Sequence, residues 1–430
     1  MGNLGGTYAE GAGLNNRGWV TGFATFPGDV YYHAFLSNGK EIRDLGTLGG
    51  TKSRAYDVND FGEAVGWSTE AGGSFLDERA FLWRPDEGMI YLGSLGGTDS
   101  EAHAINNSGT VVGWAEFEIG YPSGYHAFAW HKGRMLDLGA LYSETWSVAW
   151  DVNETGVAAG YSGYFDGQYE SWRAVMWTAP NELINLGVLG EGFHSKALGL
   201  NDIGQVVGES NYRDGLSGWH AFLWQDGVMQ DIHGGSGLPN SGAWDVNNDG
   251  VVVGGRSEYP QHEGFIWTPS TGMLNLTDLR PQKSGWIIVG ARDINDFGQI
   301  TGEATRTSVP DATLAFLMSP VYPSFDLSQP SPAVAGKMNG IRATNVEPGA
   351  KVYFVYGFEG GGTLIPTCDV TVNALQIDNA QVAGSAIADV NGVAELRGRV
   401  AKNMSGRTLL FQALIPSSCE ISNLVVQRFE

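Results

Sequence analysis

The feature that most constrains this chain is a phrase that returns seven times. One copy reads RAYDVNDFGEAVGW (Arg54–Trp67), and every copy has an Asn, a Gly three residues later and a second Gly seven residues after the Asn. The seven turn asparagines are Asn15, Asn59, Asn106, Asn153, Asn201, Asn247 and Asn295. They are separated by 44, 47, 47, 48, 46 and 48 residues. A period of about 40 to 50 residues with strand-like content is typical of β-propeller blades.

Each copy contains four segments with the alternation and residue types of β-strands. In the second copy they read SRAYDV, GEAVGWS, RAFLW and GMIYLG, and helical periodicity is nearly absent from the chain. The sequence therefore predicts an all-β protein in which residues 1–328 form a seven-bladed β-propeller, with one blade for each repeat.

The repeated phrase predicts a tight turn between the first and second strands of each blade. In Asn59-Asp60-Phe61-Gly62 the Asn side chain can bond the backbone of its own turn, and Gly can adopt positive φ. We therefore interpret the phrase as scaffold and not as an active site. The second glycine, Gly66 in this copy, lies inside the second strand, where we expect a neighbouring blade to approach closely.

The third strand carries a second repeated motif, found as His33-Ala34-Phe35, His126-Ala127-Phe128 and His220-Ala221-Phe222. A companion phrase, DLGTLGGT at Asp44–Thr51, recurs in phase with it. In these motifs the chain resembles the HAF-type extracellular repeat proteins of bacteria, over roughly residues 1–328. The resemblance implies a secreted, propeller-like fold and no particular biochemical activity. Departures from the motif histidine occur at Arg79, Arg173, Glu263 and Leu314.

The repeat stops near Ser328, and a different pattern follows. The segment Phe325–Ser328 aligns with the fourth strand of earlier repeats, so we expect the seventh blade to be complete and to meet the first mainly by packing. Residues 329–332 are interpreted as a linker. Residues 333–430 contain five or more alternating strands and predict a small β-sandwich, similar to C-terminal β-domains of secreted proteins from Planctomycetes-like bacteria.

The two cysteines, Cys368 and Cys419, both lie in this last segment. No histidine or further cysteine clusters with them, so the pair suggests a disulfide, and two buried free thiols are the alternative. A disulfide closing that loop would contribute on the order of 4 kcal/mol. It favours an extracellular or cell-surface location, with a leader peptide already removed.

The composition of the chain argues against several classes of binding partner. The 430 residues carry a net charge of −22, which argues against nucleic acids and anionic membranes as partners. No apolar run approaches the roughly 20 residues that a membrane helix needs, so we expect no membrane insertion. Because no phosphate-binding loop, nucleophile motif or metal-ligand spacing is present, we predict no cofactor, no metal and no catalytic residue.

The candidate binding surface is formed by the variable loops between the second and third strands and the strand ends beside them. They are rich in aromatic residues, which suit sugar rings as well as protein interfaces. An alternative is that many of these rings fold back onto their own blade. The candidates are Tyr31, Tyr32, Trp114, Tyr121, Tyr125, Tyr164, Phe165, Tyr169, Trp172, Tyr212, Trp219 and Tyr259.

Two other recurring residue types have a functional and a structural interpretation. Asp57, Asp151, Asp245 and Asp293 could bind a cation or act as acid and base, but their regular recurrence favours hydrogen bonds to nearby N–H groups. The motif histidines exchange with arginine, which favours hydrogen bonds between strands and loops. The stretch Asp245–Gly250 resembles the start of a calcium loop but lacks its final Glu.

Three functions remain as hypotheses. The first is a non-enzymatic extracellular structural protein that associates with other copies of itself as a surface, matrix or filament subunit. The second is a glycan-binding adhesin that uses the aromatic surface. The third, and least favoured, is a polysaccharide lyase or hydrolase, which an acidic chain without a clear cluster of Arg, Lys and His matches poorly.

Overall fold

The structure is a computed structural model. It describes residues 3–72, 77–117, 124–142, 145–165, 170–212, 218–234, 238–258, 261–280, 284–306, 309–319, 326–346, 348–358, 360–364, 374–377, 380–389, 391–415, 420–422 and 424–430. In these ranges the chain is all-β with almost no helix, and none of its helices is long and apolar enough to cross a membrane. The chain divides into two compact units: unit 1 is Met1–Asp278 with Trp286–Met318, and unit 2 is Leu279–Gly285 with Ser319–Glu430.

The described strands of unit 1 form seven consecutive antiparallel meanders, one for each sequence repeat. Meander 1 contains β1 (Ala9–Leu14), β2 (Val20–Thr25), β3 (Tyr32–Ser37) and β4 (Ile42–Asp44). Meander 2 contains β5 (Gly49–Val58), β6 (Ala64–Glu70), β7 (Arg79–Arg84) and β8 (Gly88–Tyr91). Meander 3 contains β9 (Gly96–Ile105), β10 (Val111–Phe117), β11 (Tyr125–His131) and β12 (Arg134–Asp137). Meander 4 contains β13 (Ser147–Val152), β14 (Ala158–Phe165), β15 (Glu170–Ala179) and β16 (Glu182–Gly187).

The remaining meanders continue the same order. Meander 5 contains β17 (Ser195–Leu200), β18 (Val206–Tyr212), β19 (Gly218–Gln225) and β20 (Val228–Asp231). Meander 6 contains β21 (Asn240–Val246), β22 (Val252–Glu258), β23 (Gln261–Thr268) and β24 (Gly272–Asn275), followed by the short helix α1 (Leu276–Leu279). Meander 7 has three strands in the described residues, β25 (Trp286–Ile294), β26 (Ile300–Arg306) and β27 (Val309–Met318). A single parallel bridge between Tyr32 and Lys52 joins the first two meanders into one sheet.

The turn between the first two strands forms as the sequence predicts. The Asn59 side-chain Oδ1 accepts hydrogen bonds from the Phe61 and Glu63 N–H groups, and Gly62 has a φ of 77°. The second glycine differs from our expectation. A Cβ on Gly66 would overlap the Arg54 carbonyl oxygen of its own meander, because the register shift between Ala55 and Asp57 bulges the first strand there. The close neighbour is therefore the same sheet and not the next one.

The core of unit 1 lies between adjacent meanders and not within them. One cluster combines Ala34 and Leu36 of meander 1 with Val58 and Trp83 of meander 2, and similar clusters lie at each later step. The last cluster places Ala315 of meander 7 against Leu14 of meander 1. Each meander therefore depends on its neighbours for burial of its apolar faces, as expected for a repeat fold.

Meanders 7 and 1 are joined by more than the packing that we predicted. The Asn295 Nδ2 donates to the Asn15 carbonyl at 3.0 Å, and the Leu14 N–H donates to Asp293 Oδ2 at 2.6 Å. A parallel bridge also joins Tyr8 and Thr313. The same kinds of side-chain bonds join earlier neighbours, so this step of the ring resembles the others.

Unit 2 is also built from β-strands in its described part. One sheet contains β28 (Asp326–Leu327), β29 (Met338–Thr344) and β34 (Ala394–Arg399). A second contains β33 (Gln381–Ile387), β30 (Lys351–Gly357), β35 (Thr408–Ile415), β36 (Glu420–Ile421) and β37 (Val425–Arg428). The strands β31 (Gly360–Leu364) and β32 (Ala374–Ile377) pair with each other, and a 3-10 turn spans Lys402–Met404.

The predicted fourth strand of the seventh repeat is wrong for Asp326 and Leu327. These residues pair with β29 of unit 2, where Leu327 is buried beside Ile341 and Ala343. Burial of Leu327 in this core, together with a 2.8 Å hydrogen bond from Asn345 to Asp326, explains the pairing. The predicted disulfide partners Cys368 and Cys419 lie outside the described residues.

Candidate functional site

The turn asparagines form a closed circle of hydrogen bonds around unit 1. The Nδ2 of each one donates to the backbone carbonyl of the next, from Asn15 to Asn59 and onward until Asn295 returns to Asn15, at 2.8 to 3.3 Å. The residues that follow them form a second circle in which each backbone N–H donates to the next side chain, at 2.8 to 3.1 Å. Both circles therefore give the repeated turn residues a structural role between neighbouring meanders.

The repeated aspartates link neighbouring meanders, as the structural interpretation predicted. Asp57 accepts from Val58 of its own strand and from Ile105 of the next meander, and Asp151 accepts from Val152 and Leu200. Burial raises the pKa of Asp57 to about 6, although these N–H groups act in the opposite direction. Asp57 is therefore a structural acceptor whose carboxyl group is held by two backbone N–H groups, and it is only partly buried.

Small residues and aspartates alternate around this circle. In order the seven positions are Gly13, Asp57, Ala104, Asp151, Gly199, Asp245 and Asp293. An odd number of positions cannot alternate perfectly, so Asp245 and Asp293 become neighbours and share a hydrogen bond. Burial and the charge of Asp245 hold the pKa of Asp293 well above its usual value. Burial likewise raises the pKa of Asp245, so both members of the pair hold a proton more strongly than a free aspartate does.

The motif histidines also have the structural role that we predicted. The Nδ1 atoms of His33, His126 and His220 lie 2.9, 2.9 and 2.8 Å from the carboxylates of Asp44, Asp137 and Asp231, so they join the third strand to the fourth. At the second repeat Arg79 takes this place and binds Glu70 and Asp99, each at 2.8 Å. Among the described residues, no three His, Cys, Asp or Glu side chains are grouped to hold a metal ion.

A central chamber of about 470 Å³ is bounded by the first strands of all seven meanders. The turn asparagines lie at one end. Toward the other end the wall is formed by side chains that differ from repeat to repeat, among them Tyr56, His103, Trp150, Trp244 and Arg292. His103 and Trp150 stack with ring centroids 4.1 Å apart, and Arg292 lies 4.1 Å above the Trp244 ring. This wall is the part of the chamber that could select a ligand.

Charged groups at this end of the chamber are paired. Arg54 Nη2 lies 2.7 Å from Glu10 Oε1, and Arg292 Nη2 lies 2.6 Å from Glu303 Oε1. Arg54 also lies over the rings of Phe23 and Tyr56, at 4.8 and 4.9 Å from their centroids. The described charges here neutralise one another, which favours a neutral ligand over a strongly charged one.

A pair of carboxyl groups faces each other between meanders 2 and 3. Burial, together with a hydrogen bond to Glu101 and its charge, raises the pKa of Glu78 to about 8. Burial alone would raise the pKa of Glu101, but a hydrogen bond from His103, 3.0 Å away, and its charge hold it below its usual value. The pair therefore shares one proton near neutral pH.

The aromatic arc is a run of ring contacts across meanders 3, 4 and 5. It comprises Trp114, Tyr125, Trp146, Tyr161, Trp172, His194 and Trp219, and each ring centroid lies 3.8 to 6.5 Å from that of at least one other member. The Lys196 ammonium lies 5.4 to 5.9 Å from three of these rings, those of Tyr161, Trp172 and Trp219. Most members are only partly buried, so the arc presents aromatic surface to solvent.

The structure brings together four of the predicted surface residues, Trp114, Tyr125, Trp172 and Trp219, and they belong to the arc. Tyr32 joins Phe23 and Trp67 in a separate contact between meanders 1 and 2. Tyr31 and Phe165 are exposed apart from the arc, Tyr164 packs on Tyr142, and Tyr212 stacks on His220. Tyr121, Tyr169 and Tyr259 lie outside the described residues.

Our sequence analysis missed the chamber wall and three members of the arc. Tyr56, His103, Trp150, Trp244 and Arg292 all stand three residues before a turn asparagine, a position that changes in every repeat. Trp146 and His194 likewise stand seven residues before their asparagines. A comparison of the copies position by position, looking for variation in place of repetition, would have found them.

Comparison with known proteins identifies no family. No family model matches the chain, and no curated protein matches it. Among solved structures, it is similar to the β-propeller domain of the Trilobed protease from Pyrococcus furiosus, with 7% identity over 70% of this chain and 91% of that chain, and a TM-score of 0.43. A fungal alcohol oxidase of the AA5 family, in complex with copper, matches with 10% identity, 99% and 86% coverage and a TM-score of 0.29.

Proposed function

We propose that unit 1 is a seven-bladed β-propeller and unit 2 a β-sandwich, and that the protein acts outside the cell as a non-catalytic carbohydrate-binding protein. The seven meanders and the closed circles of hydrogen bonds support the propeller. A core that combines Ile341 and Ala394 of one sheet with Phe354 and Phe411 of the other supports the sandwich.

The aromatic arc is the observation that carries the carbohydrate-binding proposal. Aromatic rings bind the apolar faces of sugars, while neighbouring polar groups bind the hydroxyls. The arc offers a row of such rings on three consecutive blades, with Lys196 and Glu209 beside them, 3.5 Å apart. A row of this length suits a chain of several sugar units more than a single small molecule.

A binding role accounts for the carboxylates of the chamber better than a catalytic one. The repeated aspartates accept hydrogen bonds from backbone N–H groups, and Glu10 and Glu303 are paired with arginines. The pair Glu78–Glu101 shares its proton, and its members are hydrogen-bonded to each other. The lyase or hydrolase alternative would need at least one carboxyl group that is free to act on substrate.

Affinity electrophoresis in gels that contain neutral or acidic polysaccharides tests this proposal. We expect the wild-type protein to be retarded by at least one neutral polysaccharide, and Trp172→Ala to weaken that retention about tenfold or more. Tyr91→Ala is the matched control, because Tyr91 is an exposed aromatic residue on β8 outside the arc. Equal retention of Trp172→Ala and the wild type, or no retention of the wild type, would refute the proposal.

A second candidate function, self-association, is favoured by an edge strand of unit 2. In the described residues, β33 pairs only with β30, and its sequence QVAGSAI has no charged residue. Val382 and Ile387 of this strand are 65% and 67% exposed. On a chain of net charge −22, copies repel except where the surface is uncharged, so we propose that β33 pairs with β33 of a second copy.

Light scattering across a concentration series tests the self-association. We expect the wild-type mass to double or grow with concentration and Val382→Lys to remain a monomer. Met338→Lys is the control, because Met338 is also more than half exposed, at 55%, but lies on the middle strand of the other sheet, β29, where it pairs with Arg399. A wild type that is monomeric at every concentration would refute this second function without affecting the first.

A further inference from the structure

Meander 6 breaks the pattern of the other repeats at one row of residues. In each meander the residue after the second-strand glycine pairs across the sheet with a residue of the first strand. These pairs are Phe23–Glu10, Trp67–Arg54, Trp114–Glu101, Tyr161–Val148, Glu209–Lys196, Gly255–Gly242 and Glu303–Gly290. Meander 6 alone has two glycines, and on its third strand Gly264 stands opposite Gly255, where the other repeats have Ala.

Because Gly242, Gly255 and Gly264 have no side chains, one face of the Trp219 ring is left uncovered. At earlier steps the first-strand residue of this row covers the ring before it, as Arg54 covers Phe23 and Lys196 covers Trp172. For Trp219 the covering position in the next meander is Gly242, which has no side chain to place there. A cleft of about 350 Å³ opens instead, with Trp219 on one wall and Trp244 on another.

Trp244 is held firmly at the base of this cleft. A Cβ on Gly255 or Gly290 would lie 2.6 or 2.8 Å from its ring atoms, so the absence of those side chains makes the slot that the indole occupies. Arg292 lies over the same ring, 4.1 Å from its centroid. The indole therefore has a fixed position and separates the cleft from the central chamber, which it also lines.

Two side chains of fixed charge line the cleft, Glu209 and Arg256, and each lies beside a residue of opposite charge; the other polar lining residues are Asn240, Ser241, Ser257 and His262. Lys196 Nζ lies 3.5 Å from Glu209 Oε1, and Arg256 Nη2 lies 2.6 Å from Glu263 Oε2. Asn240 accepts a hydrogen bond from the Trp219 N–H and donates to the Ser257 carbonyl. Such paired groups can bind hydroxyls, while a charged ligand would find no unbalanced partner.

We propose that this cleft binds one neutral pyranose ring, stacked on Trp219, as the terminal unit of the saccharide that lies along the aromatic arc. The inference rests on the proposed carbohydrate-binding function, because Trp219 is the last member of the arc. The cleft is closed beyond it by Trp244, so the saccharide chain ends there. The cleft therefore binds the end of a saccharide in preference to an internal sugar unit.

Isothermal titration with free neutral monosaccharides and with the retained polysaccharide tests this. Gly242→Val restores the side chain that Val148 supplies in meander 4. Its Cβ would lie 3.1 Å from Glu209 Oε2, a mobile carboxylate end, and 3.2 Å from Trp244 Nε1. We expect this variant to lose measurable monosaccharide binding and to bind the polysaccharide about tenfold more weakly. Trp114→Ala, at the far end of the arc, should weaken polysaccharide binding only.

A second variant keeps the inference testable if Gly242→Val does not fold. Ser257→Phe fills the cleft from the opposite wall and should have the same effect as Gly242→Val. If both variants bind monosaccharide and polysaccharide like the wild type while Trp172→Ala weakens polysaccharide binding, the cleft inference is wrong and the proposed function stands. If the wild type binds no saccharide, both are wrong.

Discussion

The two ends of the same seven first strands differ sharply. At the turn end, each position repeats around unit 1, with Asn, then Asp, Asn or Glu, joined in closed circles of hydrogen bonds. At the other end, one position holds Ala12, Tyr56, His103, Trp150, Leu198, Trp244 and Arg292 in turn. The turn end holds neighbouring meanders together, and the other end differs in chemistry from meander to meander.

The difference teaches how to find a site in a repeat protein. A contact that every neighbour must make allows one solution, so the same residue recurs wherever that contact is made. A ligand is not sevenfold symmetric, so the residues that bind it need not repeat. Variation inside a strictly repeated frame therefore indicates the functional surface more directly than any single motif does.

The largest expected effect on stability comes from a substitution of the second-strand glycine in the repeated phrase. Gly66→Ala places a Cβ against the Arg54 carbonyl oxygen, a backbone atom that cannot move without breaking the strand pairing. We expect the variant to lose about 3 kcal/mol or more of unfolding free energy, or not to fold. Urea denaturation followed by tryptophan fluorescence measures the loss.

The matched control for this glycine is Gly398→Ala. Gly398 also lies within a strand, β34, but a Cβ there would have no atom within 4 Å. The control should change stability by less than about 1 kcal/mol. A Gly66 variant as stable as the control would show that the bulged first strand adapts and that the repeated glycine is not structurally required.

Much of the frame could be predicted from the sequence because its causes are local. The Asn-to-Gly spacing specifies the turn, and period-2 alternation specifies the strands, so both are visible in one repeat. The contact partner of Gly66 was mistaken because the bulge beside it depends on strand register, which composition does not reveal. The placement of Asp326 and Leu327 failed for a similar reason, since burial of Leu327 in unit 2 outweighed a four-residue alignment.

The site could be predicted only in part. The sequence identifies Trp172 and Trp219 as candidate surface rings. Whether two such rings meet depends on which face of the sheet each strand presents to the next meander, and this is not visible in the sequence. Trp146 and His194 complete the arc from positions directly before the first strands β13 and β17, outside the loops between second and third strands that the sequence singles out. The cleft was invisible to a search for chemical groups, because Gly242 and Gly255 create it by lacking side chains.

A change of intermediate size tests the circle of turn asparagines. Asn153→Ala removes three hydrogen bonds that this buried side chain accepts, from the backbone N–H and hydroxyl of Thr155 and the N–H of Val157, and one that it donates to the Asn201 carbonyl. We expect a loss of about 2 to 3 kcal/mol in unfolding free energy. Asn38→Ala is the control: Asn38 also accepts two turn N–H groups, from Lys40 and Glu41, but it is exposed and these bonds stay within its own turn.

The comparison of the two variants isolates the bond between meanders. If Asn38→Ala is as destabilising as Asn153→Ala, the turn alone accounts for the effect and the circle adds nothing. If Asn153→Ala costs more, thermal melting should also become less cooperative, because neighbouring meanders are then coupled less tightly.

The smallest expected effect comes from the variable end and depends on pH. The pKa of Glu78 rises from 4.5 to about 8 in the folded state, so the folded protein holds a proton there that the unfolded chain releases. The contribution of this group to stability therefore falls as pH rises from about 4.5 to about 8. Glu78→Gln keeps the neutral form and should not show this fall.

Because Glu78 is only half-buried, we expect the variant to be more stable than the wild type by about 1 to 2 kcal/mol at pH 9, with no such gain at pH 5. Urea denaturation at both pH values measures the difference, with Glu41→Gln as an exposed control. If the difference in unfolding free energy between Glu78→Gln and the wild type is the same at both pH values, Glu78 and Glu101 do not share a proton. The carboxyl groups at the variable end would then not lower the stability of the folded protein.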